Sequence, residues 1–234
     1  MASIPTTSSV DTAQVLLGRS RPADQSSPDF PTRLRRVRLG VGVALTGIVM
    51  IFVSYSSAYV VRQGLPSLDP RTGTLVRDWL PLQLPNFLLV NTLILLVSTL
   101  TMELARRQAV RGGAAAGIQS RSRSLTEADR MPWLALTAIL GLSFLAGQWL
   151  VWSELAARGF YVATSPSSSF FYLLTGMHGI HLLGGIVALL AAGAITLLRK
   201  SATSTAVVVD GAAWYWHFMT VLWVYILCLL EFAP

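Results

Sequence analysis

Charge is scarce in this sequence. Asp, Glu, Lys and Arg together make 12% of its 234 residues, about half of what a soluble domain carries. With 53% hydrophobic residues, that shortage excludes an ordinary water-soluble domain and points to a membrane protein. Cysteine is limited to Cys228, so no intrachain disulfide can form; its place in an apolar run gives it the character of a small hydrophobe. Histidine is limited to His178, His181 and His217. A secretory signal needs a short apolar core near the N-terminus, but here the first apolar run follows the basic cluster Arg33, Arg35, Arg36 and Arg38, so it reads as an uncleaved span. No internal repeat is visible, which argues against an inverted-repeat transporter, the reading that buried Asn91 and Gln148 would otherwise motivate.

What is present is apolar length. A helix needs about 20 apolar residues to cross a hydrocarbon core of about 30 Å, because no water there satisfies an exposed backbone. Five segments qualify: Leu39–Val61, Asn86–Ala105, Pro132–Leu155, Ser169–Leu198 and Ala212–Phe232. The expected architecture is an all-α integral membrane bundle of five transmembrane helices over residues 33–234. The fourth span exceeds the required length and should tilt or project. Residues 1–32 are rich in Ser, Thr, Pro and Asp, lack an apolar period, and read as a disordered tail. Gly, Ala and Ser dominate Arg111–Ser124, which reads as a flexible loop.

The basic residues are unevenly shared. Between the spans, fourteen of the eighteen Lys and Arg fall on one side, with Arg62, Arg71, Arg77 and Arg158 on the other. The positive-inside rule then predicts a cytoplasmic N-terminus and an outside, periplasmic C-terminus in a bacterial inner membrane. A net charge of +7 and a pI near 10.3 do not imply nucleic acid, since these residues flank apolar runs instead of forming a basic face.

Polar groups inside the spans are the place to look for function, because each is costly unless partnered. They are Asn91, Gln148, the three histidines and several Ser and Thr, with no carboxylate well inside any span. His178 and His181, three apart, share a helix face, and His217 sits one turn into the fifth span. His181 and His217 can lie at similar depth, so a b-type haem anchor ligated by His217 with His178 or His181 is one reading. The crowding of His217 by Trp214, Tyr215, Trp216 and Phe218 favours interhelical hydrogen bonding instead. Gly176, Gly179, Gly184 and Gly185 thin the fourth helix, admitting a neighbouring backbone, a bulky aromatic or a lipid chain. Asn91 and Gln148 read as glue between helices or subunits. Glu103, beside Arg106 and Arg107, reads as a surface ion pair.

The run Phe170-Phe171-Tyr172-Leu173-Leu174-Thr175-Gly176-Met177-His178-Gly179-Ile180-His181 resembles subunit III of the haem-copper respiratory oxidases, in which an aromatic pair leads into leucine-threonine-glycine and histidine-glycine-x-histidine. Tyr215-Trp216-His217-Phe218 followed by Trp223 is similar to that family's final helix. Weaker echoes are Ser57-Ala58-Tyr59, Asn91-Thr92 with the run to Ser98, and Gly141, Phe144 and Gln148. The resemblance covers residues 39–232 and is to the five-helix bacterial form.

The resemblance implies a non-catalytic accessory subunit packed beside subunit I and other oxidase subunits, stabilising it, binding phospholipid and supporting proton uptake. Haem and copper are then expected in partner subunits, with no catalytic residue, cofactor or metal ligand here. Tyr59, Asn91, Gln148, Tyr172, Thr175, His178, Gly179, His181, Trp216, His217 and Trp223 are the expected interhelical, lipid or subunit contacts. Two positions depart from the family pattern. A membrane glutamate of many relatives, eleven residues before the tyrosine matched to Tyr59, is Ile48, and an aspartate after the tyrosine-tryptophan-histidine-phenylalanine block is Thr220. A proton-delivery role through those carboxylates is thereby removed. The same five-helix fold accompanies some nitric oxide reductases, which stands as the alternative complex.

Overall fold

The computed structural model describes residues 30–68, 71–76, 78–79, 84–115, 131–198 and 202–232. The described residues form α1 (Phe30–Gly64), a two-strand ladder of β1 (Ser67–Leu68) and β2 (Leu75–Val76), then α2 (Phe87–Ala115), α3 (Met131–Ala157), α4 (Pro166–Leu197) and α5 (Ala202–Phe232). All five helices are long and apolar enough to cross a membrane. The fold is all-α, and the short antiparallel ladder, Ser67 opposite Val76 and Leu68 opposite Leu75, only closes the α1–α2 connection.

Three helices run well past the apolar stretches that announce them. α1 begins at Phe30, α2 ends at Ala115 and α5 begins at Ala202. Residues 30–32, expected in the tail, and 111–115, expected in the loop, are therefore helical; the remaining residues of both segments lie outside the described ones. Apolar length reports only the stretch within hydrocarbon, whereas backbone hydrogen bonding continues wherever side chains pack or pair. The three extensions meet at one end of the bundle, with Val37 against Gly211 and Arg33 Nη2 donating to Ser204 Oγ at 3.4 Å.

The start of α4 is locally encoded. Ser165 is the N-cap, Pro166 follows at the first helical position, and Ser165 and Ser168 exchange side-chain to backbone bonds as a capping box. Before it, Gly159 takes φ +87° just beyond α3, a conformation that ends helices at glycine with little strain.

α5 is the centre of the packing, touching α1, α2 and α4, while α2 pairs with α3, α3 with α4, and α1 with α4. Apolar residues turned outward, such as Val43, Leu93, Ile139, Val187 and Val221, form the surface a bilayer would cover. α1 contributes few buried residues: Leu45, Phe52, Ser56 and Tyr59.

At the end opposite the three extensions, Arg62 holds the α1–α2 connection by an ion pair of 2.5 Å to Asp78 and a 3.0 Å bond to the Leu65 carbonyl. Trp79, next to Asp78, packs edge-on to Tyr59 at 5.0 Å. Hydrogen bonding from the Arg62 guanidinium holds the Asp78 carboxyl below the usual carboxylate range. A depressed folded-state value stabilises fully above the ordinary carboxylate pKa and is lost as pH falls through the folded one. Amide protection factors around Arg62, Leu65 and Asp78, taken relative to intrinsic exchange at each pH, should therefore fall on acidification below that range, and Asp78→Asn should remove the pH dependence. Protection that is flat with pH in the parent would contradict this role.

Candidate functional site

Three indoles, two of them fully buried, tie the motif residues of α4 and α5 to the rest of the bundle. Trp216 and Trp223, seven residues apart and so on one face of α5, are 0% and 1% exposed. A buried indole N–H needs an acceptor. Trp216 Nε1 donates to Ser98 Oγ at 3.1 Å, and Ser98 Oγ donates to the Thr137 carbonyl at 3.3 Å. Trp223 Nε1 donates to Thr92 Oγ1 at 3.0 Å, and Thr92 donates to the Leu88 carbonyl at 2.8 Å. The half-buried Trp152 repeats the device, donating to Thr175 Oγ1 at 3.1 Å, which donates to the Phe171 carbonyl at 2.7 Å. In each case a hydroxyl that donates to a backbone carbonyl receives an indole from another helix; Thr92 and Thr175 donate within their own helices, Ser98 across to α3. The hydroxyls were legible only as polar residues in apolar spans.

Two glycines on facing helices make room for Trp216. A Cβ at Gly141 would lie 2.6 Å from Trp216 Cη2, and one at Gly185 would lie 3.3 Å from Trp216 Cε3 and 3.0 Å from Tyr215 Cε1. Of the four α4 glycines singled out by sequence, Gly185 alone makes such a close approach; at Gly176 and Gly179 the nearest atoms would be at 3.6 and 3.8 Å, ordinary contact. Alanine at Gly176 should therefore raise stability by up to about 1 kcal/mol through helix propensity. Gly185→Ala should lower it by about 1 kcal/mol, since overpacking outweighs that gain. Thermal unfolding of the two variants side by side checks the contrast.

The three imidazoles face different neighbours. His178, fully buried, packs against the rings of Phe144 at 6.0 Å and Trp223 at 5.1 Å, which also meet each other at 4.9 Å. His181 Nδ1 is 2.7 Å from the Met177 carbonyl, which makes Nδ1 the protonated nitrogen, and its ring meets Phe52 of α1 at 5.9 Å. Tyr215 donates its hydroxyl to the His181 carbonyl at 2.8 Å. His217 Nε2 is 3.2 Å from Glu103 Oε2 on α2. Among the described residues His217 alone of the three makes an interhelical side-chain hydrogen bond; His181 bonds within its own helix, and the rings of His178 and His181 meet aromatic rings of neighbouring helices.

Asn91 Nδ2 donates to the Phe144 carbonyl at 3.1 Å, and its Oδ1 presses on Gly147 where a Cβ would stand. Gln148 is buried on α3. Tyr172 donates to the carbonyls of Phe160 at 2.9 Å and Trp152 at 3.3 Å. Tyr59 is 3% exposed, and its ring packs on Phe170 at 5.7 Å. Thr220, at the position of the relatives' aspartate, shares a 2.6 Å hydroxyl contact with Thr99 and so joins α5 to α2 without charge. Ile48, at the glutamate position, packs on the core.

A charged network at the arginine-rich end went unread in the sequence. Asp210, 0% exposed, accepts from Arg38 Nε at 2.7 Å and Nη2 at 2.9 Å, and from Arg106 Nη1 at 3.3 Å. Glu103 accepts from Arg106 twice at 2.7 Å and from Arg107 at 2.7 Å. The expected ion pairs with Arg106 and Arg107 are both made; with its side chain 23% exposed and His217 as a further partner, Glu103 also belongs to the α2–α5 interface. The available signal for Asp210 was an isolated acid just ahead of the fifth apolar run, on the side where arginines cluster.

Near the other end, Trp149, Trp152, Ala156, Tyr161, Val162 and Tyr172 line an open, almost wholly apolar groove of about 260 Å³. Among the described residues no three His, Cys, Asp or Glu side chains gather as a metal site. What these contacts do chemically is hold helices in register.

Comparison with known proteins places this arrangement. The sequence model of the family "Cytochrome c oxidase subunit III" matches residues 32–232, all five helices. The chain is 30% identical over 205 residues to cytochrome c oxidase subunit 3 of Danio rerio, covering 84% of this chain and 69% of that one. It is 30% identical over 196 residues to the Synechocystis sp. protein of the same name, covering 82% and 73%. It is 32% identical over 100 residues to the probable cytochrome c oxidase subunit 3 of Mycobacterium leprae, covering 43% and 50%, so the match spans about half the length of that relative. With the family pattern running through all five helices, this multi-pass membrane chain belongs to the cytochrome c oxidase subunit III family.

Proposed function

We propose that the chain is an accessory, non-catalytic subunit III of a haem-copper terminal oxidase in a bacterial inner membrane, packed against subunit I and other oxidase subunits. The observation that carries this reading is the family match through all five helices. The names of the relatives described above favour an oxidase over a nitric oxide reductase. Trp216, Trp223, Tyr215 and His217 of the motifs spend their hydrogen bonds on other helices, which supports a scaffolding role. Stabilisation of subunit I would then come from presenting a preformed helical face. Haem and copper belong to the partner subunits in this reading.

Phospholipid binding is part of the proposal, supported by the aromatic groove of Trp149, Trp152, Tyr161 and Tyr172. Apolar walls with aromatic rims suit an acyl chain near the membrane boundary. A cytoplasmic N-terminus and periplasmic C-terminus follow from the positive-inside rule, with Arg38, Arg106 and Arg107 placed at the cytoplasmic end.

Affinity purification of the tagged full chain tests the reading. A haem-bearing subunit I should co-purify, and the chain separated from it should show no visible haem band. A stable complex without a haem protein, or a haem band in the isolated chain, would overturn it. His178→Leu should reduce assembly while the complex that survives keeps its haem content and electron-transfer rate.

A further inference from the structure

Most buried polar groups in native interiors are paired with protein or ordered water, and leaving one unpaired costs about 1–3 kcal/mol. One layer of the bundle, in the half away from the arginine-rich end, departs from this pattern. Asn91 of α2, Gln148 of α3 and His178 of α4 are 0%, 3% and 0% exposed. Asn91 Oδ1, both amide atoms of Gln148 and both ring nitrogens of His178 find no hydrogen-bond partner among the described residues.

The register of the helices brings these groups to one depth. α3 and α4 are antiparallel neighbours: the Phe144 ring meets that of His178, and Trp152 reaches Thr175. Gln148 stands one turn from each of Phe144 and Trp152 on the same row of α3, the row that meets α4 at His178 and Thr175. Asn91 is bonded to the Phe144 carbonyl and so lies at that same level on α2.

The chemistry of the unpaired atoms selects the ligand. Gln148 Nε2 brings two donors, neutral His178 one donor and one acceptor, and the two amide oxygens are acceptors. A cation would face the N–H donors, an anion would face the amide oxygens, and a lipid chain would satisfy none. Water donates and accepts, and an internal water typically makes about three bonds to such groups.

We propose that Asn91, Gln148 and His178 form an internal water-binding site in which one or two ordered waters bridge Gln148 to His178 and donate to Asn91 Oδ1. The waters complete the polar joint between α2, α3 and α4 that the side chains leave open. This inference rests on the geometry of the chain alone and not on its assignment to an oxidase.

Two measurements on the intact complex test it. In a cryo-EM map that shows ordered water elsewhere, a peak should lie within hydrogen-bond distance of both Gln148 and His178. A direct Gln148–His178 hydrogen bond with no peak between them would overturn the proposal. In water-edited nitrogen-15 solid-state NMR, the His178 ring should gain magnetisation from water faster than the indole of Trp216, which is equally buried but paired with Ser98. Equal, slow transfer to both means a dry layer and rejects the site. Gln148→Leu should reduce the His178 transfer to the Trp216 level, whereas unchanged transfer would remove Gln148 from the site. If that variant does not assemble, the parent map and spectrum decide the question.

Discussion

Trp216→Ala is expected to lower the unfolding free energy by about 3 kcal/mol, the lower end of the range for emptying a buried aromatic site. The lower end applies because the separated helices would still lie in lipid, so what is lost is packing and not transfer from water. The pocket has little means of collapse. Its walls are the backbones of α3 at Gly141 and α4 at Gly185, which approach only because neither carries a side chain. Trp216→Phe should cost far less than alanine. It keeps much of the ring and gives up the bond to Ser98, an interhelical bond of the kind worth about 0.6 kcal/mol in membranes. Gly141→Leu is the reciprocal change, driving a side chain into the space of Trp216 Cη2, and should be as damaging as the truncation. Thermal unfolding of the purified chain with its partners reads all three. A Trp216→Ala midpoint equal to that of the parent would show that the indole does not organise the core.

The second large effect is expected at the charged end. Arg38→Met should destabilise by about 3 kcal/mol, because it leaves a fully buried Asp210 with only the longer 3.3 Å contact to Arg106. Asp210→Leu should cost less, about 1 kcal/mol, since the freed guanidiniums of Arg38 and Arg106, 40% and 25% exposed, can turn toward water or headgroups. Arg38 also stacks at 5.8 Å over Trp214, a contact worth about 0.5–1 kcal/mol that its replacement loses as well. The double variant Arg38→Met/Asp210→Leu should recover much of the loss, because no uncompensated buried charge remains. A double-mutant cycle in detergent-solubilised protein measures the coupling. Losses that simply add would mean that the pair does not join α1 to α5.

The order and number of the helices were legible in the sequence because apolar length is a local property. A chain in hydrocarbon must satisfy its backbone within the segment, and a run such as Pro132–Leu155 declares that without reference to any other residue. The importance of the fourth and fifth helices was legible too, since Thr175, His178, Trp216 and Trp223 stand in motifs of specific composition. Their partners were not. Ser98 for Trp216, Thr92 for Trp223 and Glu103 for His217 each lie more than a hundred residues away, and no period along the chain reports a contact between helices.

Tertiary structure likewise decided which glycine is indispensable. Gly176, Gly179, Gly184 and Gly185 look equivalent along α4, and only the arrival of Tyr215 and Trp216 at Gly185 separates them. It also decided where the helices end and what Asp210 does. An apolar count stops at the first charged residues, but Arg38 and Asp210, 172 residues apart, neutralise one another across α1 and α5. Local hydrophobicity determined five membrane crossings and their order by itself; the meeting of side chains from distant helices determined how those crossings hold together.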